Sequence, residues 1–129
     1  MSQQIPNLYV GPSEIHDRGM FCATFIPEGS IIEICPVIYV PAKDMEKVKQ
    51  TSLYDFYFIW GEDEKSGAIA LGYGSIYNHS YQPNARYYVD FEALTLEIFA
   101  IKDIQPGEEI TFNYNGTPED QSKVWFEIE

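Results

Sequence analysis

Short runs of apolar residues separated by turn signals dominate this 129-residue chain. Stretches rich in Ile, Val, Tyr and Phe recur at Ser30 to Ile34, Val37 to Val40, Tyr54 to Trp60, Ala68 to Leu71, Arg86 to Phe91, Thr95 to Ala100 and Glu109 to Asn113. Their length and β-branched and aromatic content predict strands, and so a mainly β fold. Phe91-Glu92-Ala93-Leu94 predicts a tight hairpin, and Pro27-Glu28-Gly29 and Pro106-Gly107 predict turns that launch the strands after them. Pro41 to Ser52 breaks the rhythm: it is polar and lysine-rich, Met45 and Val48 share one helical face, and Pro41 suits a first turn. A short surface helix is expected there, and a solvated loop from Gly61 to Gly67. After Gly116 the chain is mostly polar until Val124-Trp125-Phe126, an apolar cluster expected to dock back onto the body.

Composition and the first residues change this picture in four ways. With 45% hydrophobic and 16% aromatic residues the chain can bury one core, so a single domain over 1–129 is expected. Met1 to Pro6 has neither a basic start nor an apolar run, which predicts a soluble intracellular protein with no membrane span, cytoplasmic or, in a eukaryotic host, nuclear. Two cysteines, Cys22 and Cys35, and two histidines, His16 and His79, are too few for a disulfide framework or a cysteine or histidine metal cluster, so no metal is expected. The fourth effect is electrostatic: 20 acidic against 8 basic side chains give a formal charge of −12. Such a surface repels a phosphate backbone and argues against direct nucleic-acid binding. It attracts a Lys/Arg-rich segment, although acidity for solubility alone explains the charge equally well.

Three segments carry the candidate chemistry: Arg18-Gly19-Met20-Phe21, Tyr77-Asn78-His79-Ser80-Tyr81-Gln82-Pro83-Asn84-Ala85, and Gly107-Glu108-Glu109-Ile110-Thr111-Phe112-Asn113-Tyr114. Asn78-His79-Ser80 and Asn115-Gly116-Thr117 also fit the N-glycosylation pattern, a reading the lack of a secretory signal sets aside. Taken alone, Gly19 is an ordinary turn glycine and Tyr114 one of ten tyrosines. In combination and order, the segments resemble the SET-domain protein lysine methyltransferases from about Leu8 to Gly116. The length and the phrase Ala70 to Ser80 are most similar to the minimal, stand-alone SET domains of viral type.

That resemblance implies a β-clip fold of small curved sheets, with one or two short helices and a knot-like threaded C-terminal segment. The SET domain would cover about 8–116, with a docking segment at 117–129. It implies an S-adenosylmethionine-dependent protein lysine N-methyltransferase acting on a basic, histone-like segment. It also raises a homodimer, as in the small viral members. Tyr114 matches the active-site tyrosine; Arg18, Gly19, Met20, Asn78 and His79 match the donor-binding segments; and Trp125 is expected to stack on the donor's adenine. Tyr77, Phe112 and Tyr87 are expected around the substrate lysine, and the carbonyls from Tyr73 to Tyr77 beside the transferring methyl. Phe112, two residues before Tyr114, implies di- or trimethylation, because a tyrosine there restricts the product. The chain departs from the family pattern at Asp17, Ser75, Tyr81 and Asn113, where Gly, Arg, Cys and Asp are usual. The competing reading is a non-catalytic module of the same fold that binds a lysine-rich peptide or S-adenosylmethionine.

The chemistry asks little of a base. A lysine amine must be neutral to attack, which at pH 7.4 costs about 4 kcal/mol from its usual pKa, and a dry channel beside a positive sulfonium lowers that cost. What it needs is alignment and oxygen atoms around the methyl.

Overall fold

The computed structural model describes residues 3–61, 65–116 and 119–121. In chain order the elements are β1 (Gln3–Gln4), β2 (Leu8–Pro12), β3 (Arg18–Cys22), β4 (Ile31–Val40), α1 (Ala42–Val48), a 3₁₀ turn (Ser52–Asp55), β5 (Tyr57–Trp60), β6 (Ser66–Ala70), β7 (Asn78–His79), β8 (Ala85–Asp90), β9 (Thr95–Ala100) and β10 (Glu109–Phe112). The architecture is mainly β, as the apolar rhythm predicts. One sheet runs β5-β6-β4-β9-β8 with β1 added to β4, and the other runs β2-β3-β10-β7.

Strand β9 shows how sequence pattern becomes packing. Alternate residues Leu96, Ile98 and Ala100 are buried while those between are half-exposed, as a period of two requires. The hairpin to β8 closes with Asp90 opposite Thr95 and with Leu94 at φ 56, a turn conformation. Strand β4 joins two runs that the sequence pattern separates. Its first half pairs with β9 up to Pro36, and its second half pairs with β6 from Val37. Pro36 stands at the handover, where a residue without an N–H is tolerated. A bulge between Ile31 and Glu33 breaks the alternation, so that the consecutive residues Ile32 and Glu33 are both wholly buried.

Other boundaries differ for local reasons. Only Tyr57–Trp60 of the Tyr54 to Trp60 run is strand; the residues before it form the 3₁₀ turn, whose amide at Leu53 is capped by the Thr51 hydroxyl. Ser66 and Gly67, which composition assigns to a loop, are buried in β6. Gly67 lies under Met45 of α1, close enough that a Cβ would meet the Met45 sulfur at 2.6 Å. Strands β2, β3 and β7 are not among the predicted runs: the short apolar stretches of the first two are interrupted or flanked by Gly11, Pro12 and Gly19, and the third is the polar pair Asn78–His79. The expected docking segment, including Val124, Trp125 and Phe126, lies outside the described residues. Among the described residues no helix is long and apolar enough to cross a membrane.

The core between the sheets is built from Met20, Cys22, Ile32, Leu96, Ile98, Ile110 and Phe112, with Tyr77 and Cys35. Each large apolar side chain so buried contributes about 1.5–3 kcal/mol. For the site, the decisive feature is β10, which lies between β3 and β7, antiparallel to the one and parallel to the other. The last motif is thereby inserted between the first two.

Candidate active site

On one side of β10 the three motifs are tied into a single polar cluster. Glu109 takes the Ser13 hydroxyl on Oε1 at 2.7 Å and the Asn78 amide on Oε2 at 2.8 Å. The Asn78 Nδ2 also lies within reach of Ser13 Oγ, His16 O and Arg18 O, at 3.1–3.2 Å. Gly19 is what lets these groups meet, since a Cβ there would collide with the Glu109 carboxylate and the Asn78 amide. The Ser13 hydroxyl in turn accepts from the amides of Ile15 and His16, and the turn closes with Asp17 at φ 45. Asp17 thus adopts the left-handed conformation that glycine takes freely and that Asp tolerates.

Two cavities flank Tyr114. One, of about 410 Å³, is lined by His16, Arg18, Ile76, Asn78 and His79 among others. The other, of about 440 Å³, is lined by Tyr57, Phe58, Tyr77, Tyr87 and Phe112 among others. Four residues line both: Asp55, Phe56, Ser75 and Tyr114. At this junction the Tyr114 hydroxyl donates to the Tyr77 carbonyl at 2.7 Å, and the Tyr114 amide donates to His79 Nδ1 at 3.0 Å. Burial above all, and the Glu109 carboxylate after it, push the Tyr114 hydroxyl well above the usual phenol range. It therefore stays neutral at physiological pH, as a hydrogen-bonding hydroxyl and not a base.

The aromatic walls of the larger cavity converge on Phe112, which is fully buried. Tyr77 stacks on it at 5.4 Å and Tyr87 meets it edge-on at 5.0 Å. Both tyrosine hydroxyls are engaged: that of Tyr77 donates to Glu33 Oε1 at 2.8 Å, and that of Tyr87 to the Tyr114 carbonyl at 3.3 Å. Burial raises the Tyr87 hydroxyl to about 12.

Of the residues singled out from sequence, Tyr114, Tyr77, Asn78, His79, Tyr87, Phe112 and Arg18 lie on these cavities. Gly19 is buried behind them. Met20 is wholly buried in the core, and its backbone is paired to Val10 on one side and Ile110 on the other. Trp125 lies outside the described residues. The departures from the family pattern each have local partners. Tyr81 packs edge-on against the His79 ring at 4.4 Å. Ser75 Oγ reaches the carbonyls of Phe56 and Ala70, both at 3.2 Å. The Asn113 amide donates to the Asp120 carbonyl, which a carboxylate could not do, while its oxygen accepts from the Asn115 amide.

Sequence reasoning missed Ser13, Glu33, Asp55 and Phe56 and did not single out Asn84 or Glu109. The last two lie in the quoted motifs, and Asn84 brackets β10 by accepting from the Thr111 amide and donating to the Glu109 carbonyl. Polar residues at fixed places in a motif were the available signal for these two.

The family model for the SET domain matches residues 17–115. The histone-lysine N-methyltransferase, H3 lysine-37 specific, of Schizosaccharomyces pombe is 31% identical over 124 residues, an alignment covering 92% of this chain and 79% of that protein. The histone-lysine N-methyltransferase, H3 lysine-36 specific, of Cryptococcus neoformans is also 31% identical, over 88% of this chain, but this chain spans only 14% of it. A solved structure, that of a candidate histone methyltransferase of Plasmodium falciparum, superposes with a TM-score of 0.71 at 26% identity, covering 96% of this chain and 98% of that one. With its curved sheets, its β10 inserted between β3 and β7, and the family match over most of its length, the chain belongs to the SET-domain family of protein lysine methyltransferases.

Proposed function

We propose that this chain methylates a lysine of a basic, histone-like segment, with S-adenosylmethionine in the 410 Å³ cavity, the lysine side chain in the 440 Å³ cavity, and Tyr114 at the junction. The observation that carries the reading is that both cavities share Tyr114, whose hydroxyl is fastened to the Tyr77 carbonyl. Arg18, Asn78 and His79 line the smaller cavity and would hold the donor there, with Phe56 and Ile76 supplying apolar walls. Asn78 acts by holding the 13–18 turn against β7, and Gly19 by leaving room for the carboxylate that anchors it.

In the transfer, the neutral lysine nitrogen uses its lone pair to form an N–C bond while the C–S electrons return to sulfur, so positive charge passes from sulfonium to methylammonium. The aromatic walls of Tyr57, Phe58, Tyr87 and Phe112 disfavour the lysine ammonium and hold the amine in line. The Tyr114 hydroxyl and Tyr77 carbonyl offer oxygens to the partly positive methyl. Phe112 has no hydroxyl to tether the amine, and those of Tyr77 and Tyr87 donate elsewhere, so the product proposed is di- or trimethyl-lysine. The nucleus of a eukaryotic host is the compartment this substrate implies.

Transfer of labelled methyl to histone H3 peptides, with the product weighed by mass spectrometry, tests the reading. Tyr114→Phe is expected to cut transfer by about 100-fold or more, the scale for losing one preorganised group, while donor binding measured by calorimetry persists. Phe112→Tyr is expected to move the product toward monomethyl-lysine. Donor binding with no transfer to any basic peptide would favour the non-catalytic module instead.

A further inference from the structure

Glu33 is a wholly buried carboxylate, and it lines neither cavity. The bulge in β4 that buries Ile32 and Glu33 in succession sets it in the apolar core. A charge so placed is strongly unfavourable unless every lone-pair direction finds a donor. The donors it takes are neutral. Oε2 accepts from the Gln4 side-chain amide and from the Tyr73 backbone amide, both at 2.9 Å, and Oε1 accepts from the Tyr77 hydroxyl at 2.8 Å.

Two of these donors belong to the segment from Gly72 to Tyr77, one near each end. Gly72 is left-handed at φ +65, and a Cβ there would collide with Glu33 Oε2, so this loop is shaped to receive the carboxylate. The far face of the same loop carries the Tyr77 carbonyl that accepts the Tyr114 hydroxyl at 2.7 Å.

Resting on the function proposed above, we propose that Glu33 is a positioning residue for methyl transfer: by gripping Tyr73 and Tyr77 it sets the Tyr77 carbonyl, and through it the Tyr114 hydroxyl, at the junction of the two cavities. Its effect falls on turnover, because the groups it orients face the methyl, and not on donor affinity, because the donor cavity is anchored separately by Glu109 and Asn78.

The test compares Glu33→Gln, Tyr77→Phe and the double variant with wild type. Turnover, both KM values, donor affinity by calorimetry, melting temperature and hydrogen exchange of the Tyr73 amide are measured. Glu33→Gln is expected to lower kcat on the order of tenfold, the rate equivalent of one displaced hydrogen bond, with donor affinity at the wild-type value and the Tyr73 amide exchanging faster. Tyr77→Phe should lower kcat similarly, and the double variant should be no slower than either single one, because both break the same link. Tyr77→Phe removes one oxygen only and carries the test if Glu33→Gln does not fold.

A wild-type kcat in Glu33→Gln or Tyr77→Phe, alongside an inactive Tyr114→Phe, overturns the positioning role and leaves the function standing. A lowered melting temperature with unchanged kcat well below it makes Glu33 merely structural. If wild type transfers no methyl, the function itself falls. Exchange at Tyr73 then still judges the grip: unchanged protection in Glu33→Gln refutes it.

Discussion

The Ser13 to Arg18 turn beside the smaller cavity and the Gly72 to Tyr77 loop between the two cavities are fastened in the same way, by a glutamate set against a glycine that has no room for a Cβ, yet the two fastenings lie at different depths. Glu109 is half-exposed and holds hydroxyl and amide side chains next to a cavity, where its charge also acts on Tyr114. Glu33 has no exposure and holds a backbone amide and a phenol from within the core. Gly72 must also be left-handed, at φ +65, whereas Gly19 lies in the regular strand β3. A half-exposed fastening can adjust at the expense of the site it borders. A buried one can adjust only by disturbing the fold.

Substitution at the two glycines is the strongest way to break this comparison. Gly72→Ala adds a clash with buried Glu33 to an unfavourable backbone, and a loss of about 2–3 kcal/mol is expected in denaturant unfolding. Gly19→Ala should cost about 1 kcal/mol, because the Glu109 side chain can move toward solvent. Its larger consequence is on donor binding, expected to weaken about tenfold in calorimetry, and Asn78→Ala should do the same by releasing the turn from β7. Equal stability losses with no change in donor affinity would erase the distinction.

A second prediction sharpens it through pH. Burial, and then Glu33, hold the Cys35 thiol and the Tyr77 hydroxyl above their usual values of 9.0 and 10.0. Burial raises Tyr87 from 10.0 to about 12. Tyr77 and Tyr87 line the larger cavity and Cys35 lies in the core, and all three groups are neutral when protonated. Because the folded state holds these protons more tightly than the unfolded chain, the stability they contribute is complete below pH 9.0, and it is lost as pH rises through the raised folded values. Melting followed by circular dichroism should show no pH dependence from these groups between pH 7 and 9 and a steady decline in stability above about pH 9–10. Hydrogen exchange at rising pH should open the Gly72 to Tyr77 loop before the Ser13 to Arg18 turn.

The smallest effect concerns encounter. With a formal charge of −12, association with a Lys/Arg-rich peptide should slow as salt shortens the Debye length from about 10 Å at 0.1 M, by several-fold in stopped-flow measurements. A flat response would leave the acidity to solubility alone.

What the sequence determined by itself is whatever depends on near neighbours. The alternation in Thr95–Ala100, the hairpin that follows Asp90, the helix with Met45 on its inner face, and the turns at Gly29 and Gly107 are set by residues within a few positions of one another. The motif segments, including Tyr114, Asn78 and Phe112, were legible for the same reason: each is a contiguous phrase. Contacts across the chain could not be read in this way. Nothing in the polar pair Asn78–His79 predicts a strand; it becomes one because β10 lies parallel to it and Glu109, 31 residues away, takes its amide. Nothing around Glu33 marks it as buried, since its neighbours Ile32 and Ile34 describe an ordinary half-exposed strand. It is buried because the bulge against β9 turns it inward and because Tyr77, 44 residues away, brings it a hydroxyl. A carboxylate is stable in a core only where donors from elsewhere in the chain converge on it, so only the tertiary structure could decide that Glu33 belongs beneath the active site.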